Sequence, residues 1–249
     1  MPVDWNQPLE GCRRFVWGSR ELIVAVRPGE VRVLASGGAD PFSEEHVDGE
    51  PCDEPEGMLR FGTRPGSPIT LSVRAADKSV IVRPAEPLAV LGGASTVVYV
   101  STPAWIGLRQ GGPPFFEVPV HRPSNTWFGE TTQQGELAYA TRSRARTDLA
   151  ALKLRPGRVH TRITLHNGLA DPWEVVRMKV PCPHLPLFAV GEGLWTASLR
   201  IARTSDGEID MTLENGPPNE LGKASRLADP RDPGTPKLLV RALGTLRLT

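Results

Sequence analysis

The side chains best suited to chemistry crowd into one stretch, Thr126 to Arg146. Arg142, Arg144 and Arg146 recur there at every second position. That is the period of a β-strand, so an extended chain projects all three from one face, about 6–7 Å apart. A guanidinium fork matches a phosphate or carboxylate through two parallel N–H bonds, and such a row could hold an anionic group. Leu137 and Tyr139 alternate with this row, and if they face the core the arginines face out. A second basic row, Arg158, His160 and Arg162, runs along one side of the segment Arg158 to His166. If the two strands are neighbours in one sheet, the basic surface is continuous. The competing reading is an ordinary solvated sheet face, because exposed charge is common and binding surfaces are few.

The same stretch holds two acids, Glu130 and Glu136, on either side of a polar loop. Folded together they would make a carboxylate pair of the glycosidase type, with Tyr139 and Arg142 beside them. Hairpin loops commonly carry two acids for solubility alone. No G-x-S-x-G and no cysteine in a protease context supplies a nucleophile. A Walker loop is absent, as is a G-x-G-x-x-G joining a strand to a helix, so no nucleotide cofactor is expected. Metal binding is not expected either. His160 and His166 lie six residues apart on one strand face, about 20 Å, too far to share an ion. Cys182 and His184 are close but lack further ligands at motif spacing.

Composition narrows the partners. The net charge of the 249-residue chain is +1, so no global field draws it to nucleic acid or an anionic membrane. Its bias is within the cations: 24 Arg against 5 Lys. The three cysteines, Cys12, Cys52 and Cys182, are odd in number and show no C-x-x-C, which argues against a disulfide framework and for a reducing compartment. The first residues carry neither a basic nor an apolar leader region, and apolar runs stop at four or five residues, far short of a membrane span. A cytoplasmic protein is the expectation.

The elements that must position these residues are strands. Helical periodicity is almost absent, while short β-branched runs recur about every ten residues between Gly- and Pro-rich turns. Around Pro28-Gly29 the register can be read directly: Val26 faces Val31, Val24 faces Val33, Leu22 faces Ala35 and Arg27 faces Glu30. A Pro-Gly type II turn suits tight hairpins poorly, which argues for a wider loop there. In the hairpin from Trp195 to Glu214, a three-residue loop, Ser205-Asp206-Gly207, pairs Ile201 with Met211 and Leu199 with Leu213, with Gly207 left-handed. In the strand from Arg158, Val159, Thr161, Ile163 and Leu165 share one face, and Arg158, His160, Arg162, Thr164 and His166 the other. Residues 40–57 are acidic and Pro-rich, a solvated loop without EF-hand spacing. Trp127-Phe128-Gly129 reads as a core-anchored turn, since large aromatics beside Gly pack. The fold expected is all-β, an antiparallel β-sandwich, as two packed halves spanning residues 1–112 and 113–249, with one continuous β domain as the alternative.

Two stretches, Thr96 to Gly107 and Thr126 to Ala140, together resemble the DUF432 family of uncharacterised prokaryotic proteins, and Ile163 to Pro181 is also similar. The resemblance covers roughly residues 65–215. It implies a domain of unknown function and brings no catalytic residues. The leading expectation is therefore a non-catalytic binding or assembly module with an Arg-rich sheet face, taking an anionic ligand or a protein partner. An enzyme acting on an anionic or carbohydrate substrate is the first alternative, and a structural homo-oligomer the second.

Overall fold

The computed structural model describes residues 4–5, 7–129, 135–205, 208–234 and 237–241. The chain is all-β, with two short 3-10 turns, Cys182–His184 and Asn219–Leu221. Its first strands are β1 (Gly11–Trp17), β2 (Arg20–Arg27), β3 (Glu30–Gly37), β4 (His46–Pro51), β5 (Leu59–Gly62) and β6 (Thr70–Arg74). Then come β7 (Val80–Pro84), β8 (Leu88–Val90), β9 (Ser95–Pro103), β10 (Trp105–Arg109), β11 (Pro114–Pro119), β12 (Ser124–Gly129) and β13 (Gly135–Ser143). The remainder are β14 (Arg158–Asn167), β15 (Trp173–Val175), β16 (Met178–Val180), β17 (Leu187–Val190), β18 (Gly193–Thr196), β19 (Leu199–Ser205), β20 (Glu208–Leu213), β21 (Ala224–Ala228) and β22 (Lys237–Arg241).

These strands form two compact units, interleaved along the chain rather than sequential. One comprises Met1–Arg74, Pro103–Arg122 and Leu154–Arg158, and the other Ala75–Thr102, Pro123–Lys153 and Val159–Thr249. The position between residues 112 and 113 falls inside the Pro103–Arg122 piece of the first unit.

The first unit is antiparallel. A five-stranded sheet runs β4-β1-β2-β3-β5 and a three-stranded sheet runs β11-β10-β6. Phe61 of β5 packs on Phe115 and Phe116 of β11, with ring centroids 5.2 and 6.1 Å apart, the inter-sheet contact a β-sandwich makes. Trp5, Trp17 and Phe15 stack in series beneath β1. The β2–β3 hairpin has the register that alternation predicts: Leu22↔Ala35, Val24↔Val33, Val26↔Val31 and Arg27↔Glu30. Leu22, Val24, Val31 and Val33 are fully buried. The loop is the tight two-residue one, not a wider one, because Gly29 takes φ of 77° and bends the turn at no steric cost.

The second unit mixes pairings. Its eight-stranded sheet runs β21-β17-β18-β14-β19-β20-β22, with β9 also paired to β14. A four-stranded sheet runs β12-β13-β7-β16, and β15 pairs with β8. Against the antiparallel expectation, β13 lies parallel to β7, and β14 parallel to both β18 and β19. Alternation specifies which face a residue takes but not strand direction, so these pairings are invisible to pattern. Val159, Thr161, Ile163 and Leu165 do form a buried face of β14, where Thr161 Oγ1 and Thr196 Oγ1 share a hydrogen bond of 2.8 Å.

The β19–β20 pairing keeps Leu199↔Leu213 and Ile201↔Met211, but the extra residue is accommodated differently. A bulge between Arg203 and Ser205 shifts the register, and Ser205 pairs with Glu208 instead of entering the loop. One added residue in a strand restores the same parity as one added residue in a loop. Asp206 and Gly207 lie outside the described residues.

Gly37 and Gly29 separate two costs of losing a glycine. Both have positive φ, but a Cβ on Gly37 would sit 2.1 Å from the Ser19 carbonyl oxygen, whereas Gly29 faces open space. Urea unfolding followed by tryptophan fluorescence should show Gly29→Ala costing about 1 kcal/mol, the left-handed penalty alone. Gly37→Ala should cost at least ~2–3 kcal/mol, because backbone must also move.

Candidate functional site

Strand β13 changes environment halfway along. Its residues Gly135–Ala140 pair with β12 and its residues Tyr139–Ser143 with β7. Ala138 is fully buried while Leu137 is 50% exposed, the reverse of the orientation expected from Leu137 and Tyr139. Trp127, opposite Leu137, is 46% exposed, so the Trp127-Phe128-Gly129 knuckle is not a core anchor at its tryptophan. Phe128 instead lies under two cations, Arg177 Cζ at 5.2 Å and Lys179 Nζ at 5.7 Å from the ring centroid.

The face carrying Ala138 is buried at Ile81 and half-buried at Ala140, which are paired across β13 and β7, and opens one step further on. There Arg142 pairs in register with Arg83, and both are exposed. Paired residues on neighbouring strands project from the same face about 4.8 Å apart along the ladder. Among the described residues no acid pairs with Arg83, Arg142 or Arg144. Several other arginines meet acids: Arg14 with Glu21, Arg27 and Arg32 with Glu54, Arg60 with Glu30. Two like charges opposite one another with no counter-charge cost stability, and a bound anion would relieve that cost.

The expected row of three does not continue. β13 ends at Ser143, and Ala145 takes φ of 43°, which breaks the alternation. Arg144 is exposed in the segment leaving the strand. Arg146 is half-buried, and its carbonyl accepts a 2.7 Å bond from the Tyr99 amide.

The second basic row is not a surface of free cations. His160 is 1% exposed, packed on Trp195 with ring centroids 5.2 Å apart. Arg162 is compensated by Glu214 at 3.5 Å and Glu220 at 3.7 Å, and it donates to Thr164 Oγ1 at 3.1 Å. Glu220 also accepts from the Tyr99 hydroxyl at 3.5 Å. Arg158 belongs to the first unit, where its Nη1 donates to His121 Nδ1 at 3.0 Å. A guanidinium has no lone pair to offer, so His121 must accept, which leaves its proton on Nε2. β13 and β14 lie in different sheets, so the two rows are not neighbours in one sheet.

The acidic set is dispersed too. Glu136 pairs with Lys179 Nζ at 2.7 Å. The Tyr139 hydroxyl donates to Asp77 Oδ1 at 2.9 Å and accepts from Lys78 Nζ at 3.0 Å. Burial raises the Tyr139 pKa, and the bond to Tyr139 raises that of Lys78. By parity Tyr139 projects from the face opposite Glu136 and Arg142. Glu130 lies outside the described residues. Cys182 is buried, which pushes its thiol up to about 12, and His184 Nδ1 bonds to the Asp232 carbonyl at 3.1 Å.

Arg83 is the residue that reading along the sequence misses. It ends the run Val80-Ile-Val-Arg before Pro84. Its role depends on a parallel pairing with a distant strand that no local pattern announces.

Comparison with known proteins agrees with the resemblance and extends it. The family described as Protein of unknown function (DUF432) matches residues 44–247, beyond residues 65–215 at both ends. No curated protein and no solved structure matches the chain.

The Arg158–His121 contact makes a pH prediction. Burial first, then Arg158 and Arg20, lower the His121 pKa from 6.5 to about 4. Burial, then Arg155, lowers that of Arg158 to about 10, so it stays charged at neutral pH. Below pH 6.5 the unfolded chain takes up a proton at His121 that the folded chain refuses until about 4. Stability therefore falls as pH drops through this window and levels off below it. The loss should be about 1–2 kcal/mol after discounting for partial exposure. Thermal unfolding of His121→Gln, which keeps an acceptor for Arg158, should lack this component of the acid sensitivity.

Proposed function

The chain belongs to the DUF432 family of proteins of unknown function, and from that premise we propose that it is a non-catalytic binding module for an anionic group, held by Arg83 and Arg142 with Arg144 beside them. The observation that carries this reading is the in-register, exposed Arg83–Arg142 pair without a counter-charge among the described residues. A phosphate or carboxylate bridging two guanidinium forks satisfies both through charge-assisted bonds. With a net charge of +1 there is little long-range steering, so recognition is by contact at short range. What supports a non-catalytic reading is that Glu136 is engaged by Lys179, and Tyr139 by Asp77 and Lys78. Neither acts on a group held at Arg142.

The test is thermal unfolding with and without inorganic pyrophosphate. Without ligand, Arg142→Glu should be more stable than the parent by ~0.3–1 kcal/mol, because it replaces a like-charge pair with an opposite-charge one. Pyrophosphate should raise the unfolding midpoint of the parent and leave that of Arg83→Glu/Arg142→Glu unchanged. Equal shifts in the two proteins would sink the reading. A parent that responds to an acidic peptide but not to pyrophosphate would move the partner to a protein segment.

A further inference from the structure

We propose that Cys12 and Cys52 form a thiol–disulfide exchange site that takes a low-molecular-weight disulfide as oxidant and closes to an intrachain disulfide. The two sulfurs are 2.9 Å apart although the residues are separated by 40 positions. The β1–β4 ladder accounts for this. Arg13 pairs with Pro51, so one step further Cys12 stands opposite Cys52, and the Cys52 amide donates to the Cys12 carbonyl at 3.3 Å. A hydrogen-bonded antiparallel pair has Cα atoms about 5.5 Å apart, within the span a disulfide bridges. Both thiols are free and half-buried, so a small reagent can reach them. The third cysteine, Cys182, is 1% exposed and does not compete.

Both sulfurs are partly exposed and within reach of each other, so either can open the exchange and the other resolve it. When Cys52 opens it, the Cys52 thiolate attacks one sulfur of the small disulfide, forming a mixed disulfide and expelling one small thiolate. Cys12 then loses its proton to solvent, and its thiolate attacks the Cys52 sulfur and expels the second small thiolate; both small thiolates take up protons from solvent. Two protein thiols are oxidised, and one small disulfide is reduced to two thiols.

The new bond would tie the start of β1 to the chain leaving β4, where Glu54 already holds Arg27 at 2.6 Å and Arg32 at 3.4 Å. Closure would therefore fix a segment that is otherwise held by partly exposed ion pairs. This site lies in the first unit and the paired arginines in the second, so the proposal stands apart from the anion-binding reading.

Incubating the full chain with oxidised glutathione at mildly alkaline pH tests the idea. Alkylation under denaturing conditions then counts the remaining thiols, and non-reducing peptide mapping locates any link. The parent should fall from three reactive thiols to one, with the peptides holding Cys12 and Cys52 joined, and dithiothreitol should restore three. Cys12→Ser should stop at a glutathione adduct on Cys52. The proposal is overturned if the parent keeps three thiols, accumulates unresolved glutathione adducts, or links either residue to Cys182 or to a second chain. The parent result decides the matter even if the serine variant fails to fold.

Discussion

The second unit depends on the backbone ladder of β14. This ten-residue strand pairs in parallel with β18 over Val159–His160 and with β19 over Ile163–Asn167, and it also pairs with β9. A strand engaged along its length with one face sealed leaves no freedom in where its side chains go. Val159, Thr161, Ile163 and Leu165 take the sealed face, so every even-numbered residue must take the other. The sealed face carries two buried polar side chains: the Thr161 hydroxyl, which Thr196 answers, and the Asn167 amide, which donates to the Val90 and Asp171 carbonyls.

From that constraint follows the fate of each cation. A guanidinium cannot lose its charge on burial as a lysine can, so it must find an acid, find another acceptor, or reach water. Arg162 finds Glu214 and Glu220, and Arg158 finds the imidazole of His121. Arg83 and Arg142 reach water one step beyond the paired Ile81, which is buried, and Ala140, which is half-buried. The paired arginines are thus a place where sheet geometry brings cations together, and among the described residues no acid meets them. That distinguishes them from Arg14, Arg32 and Arg60 of the β1–β5 sheet, whose carboxylate partners stand on the same or neighbouring strands.

Much of the local architecture was legible from residue order. The β2–β3 register followed from matching Leu22, Val24 and Val26 against Ala35, Val33 and Val31, because a tight turn leaves few alternatives once both inner faces are apolar. The same logic gave the Leu199–Leu213 and Ile201–Met211 pairs, although the compensating residue proved to be a strand bulge. The candidate site was legible only in half. Arg142 and Arg144 were apparent as exposed cations on a strand and its exit, but Arg83, the partner that makes Arg142 unusual, was not. His160 was misplaced for a related reason: alternation puts it on the polar face of β14, yet Trp195 covers that face at its position.

Residue order by itself therefore determined the strands, their turns and the faces of the short hairpins, because period-two burial and turn chemistry act between residues close in the chain. It also determined that acidic and basic side chains would be nearly equal in number, 28 against 29, so that many could pair. Only the tertiary structure decided which ones do. The parallel pairing of β13 with β7, the covering of His160, the placing of Arg83 opposite Arg142, and the approach of Cys12 to Cys52 all join segments far apart in sequence. Each is settled by which strand edges meet and which faces are covered, and those choices depend on the whole ladder rather than on any one stretch.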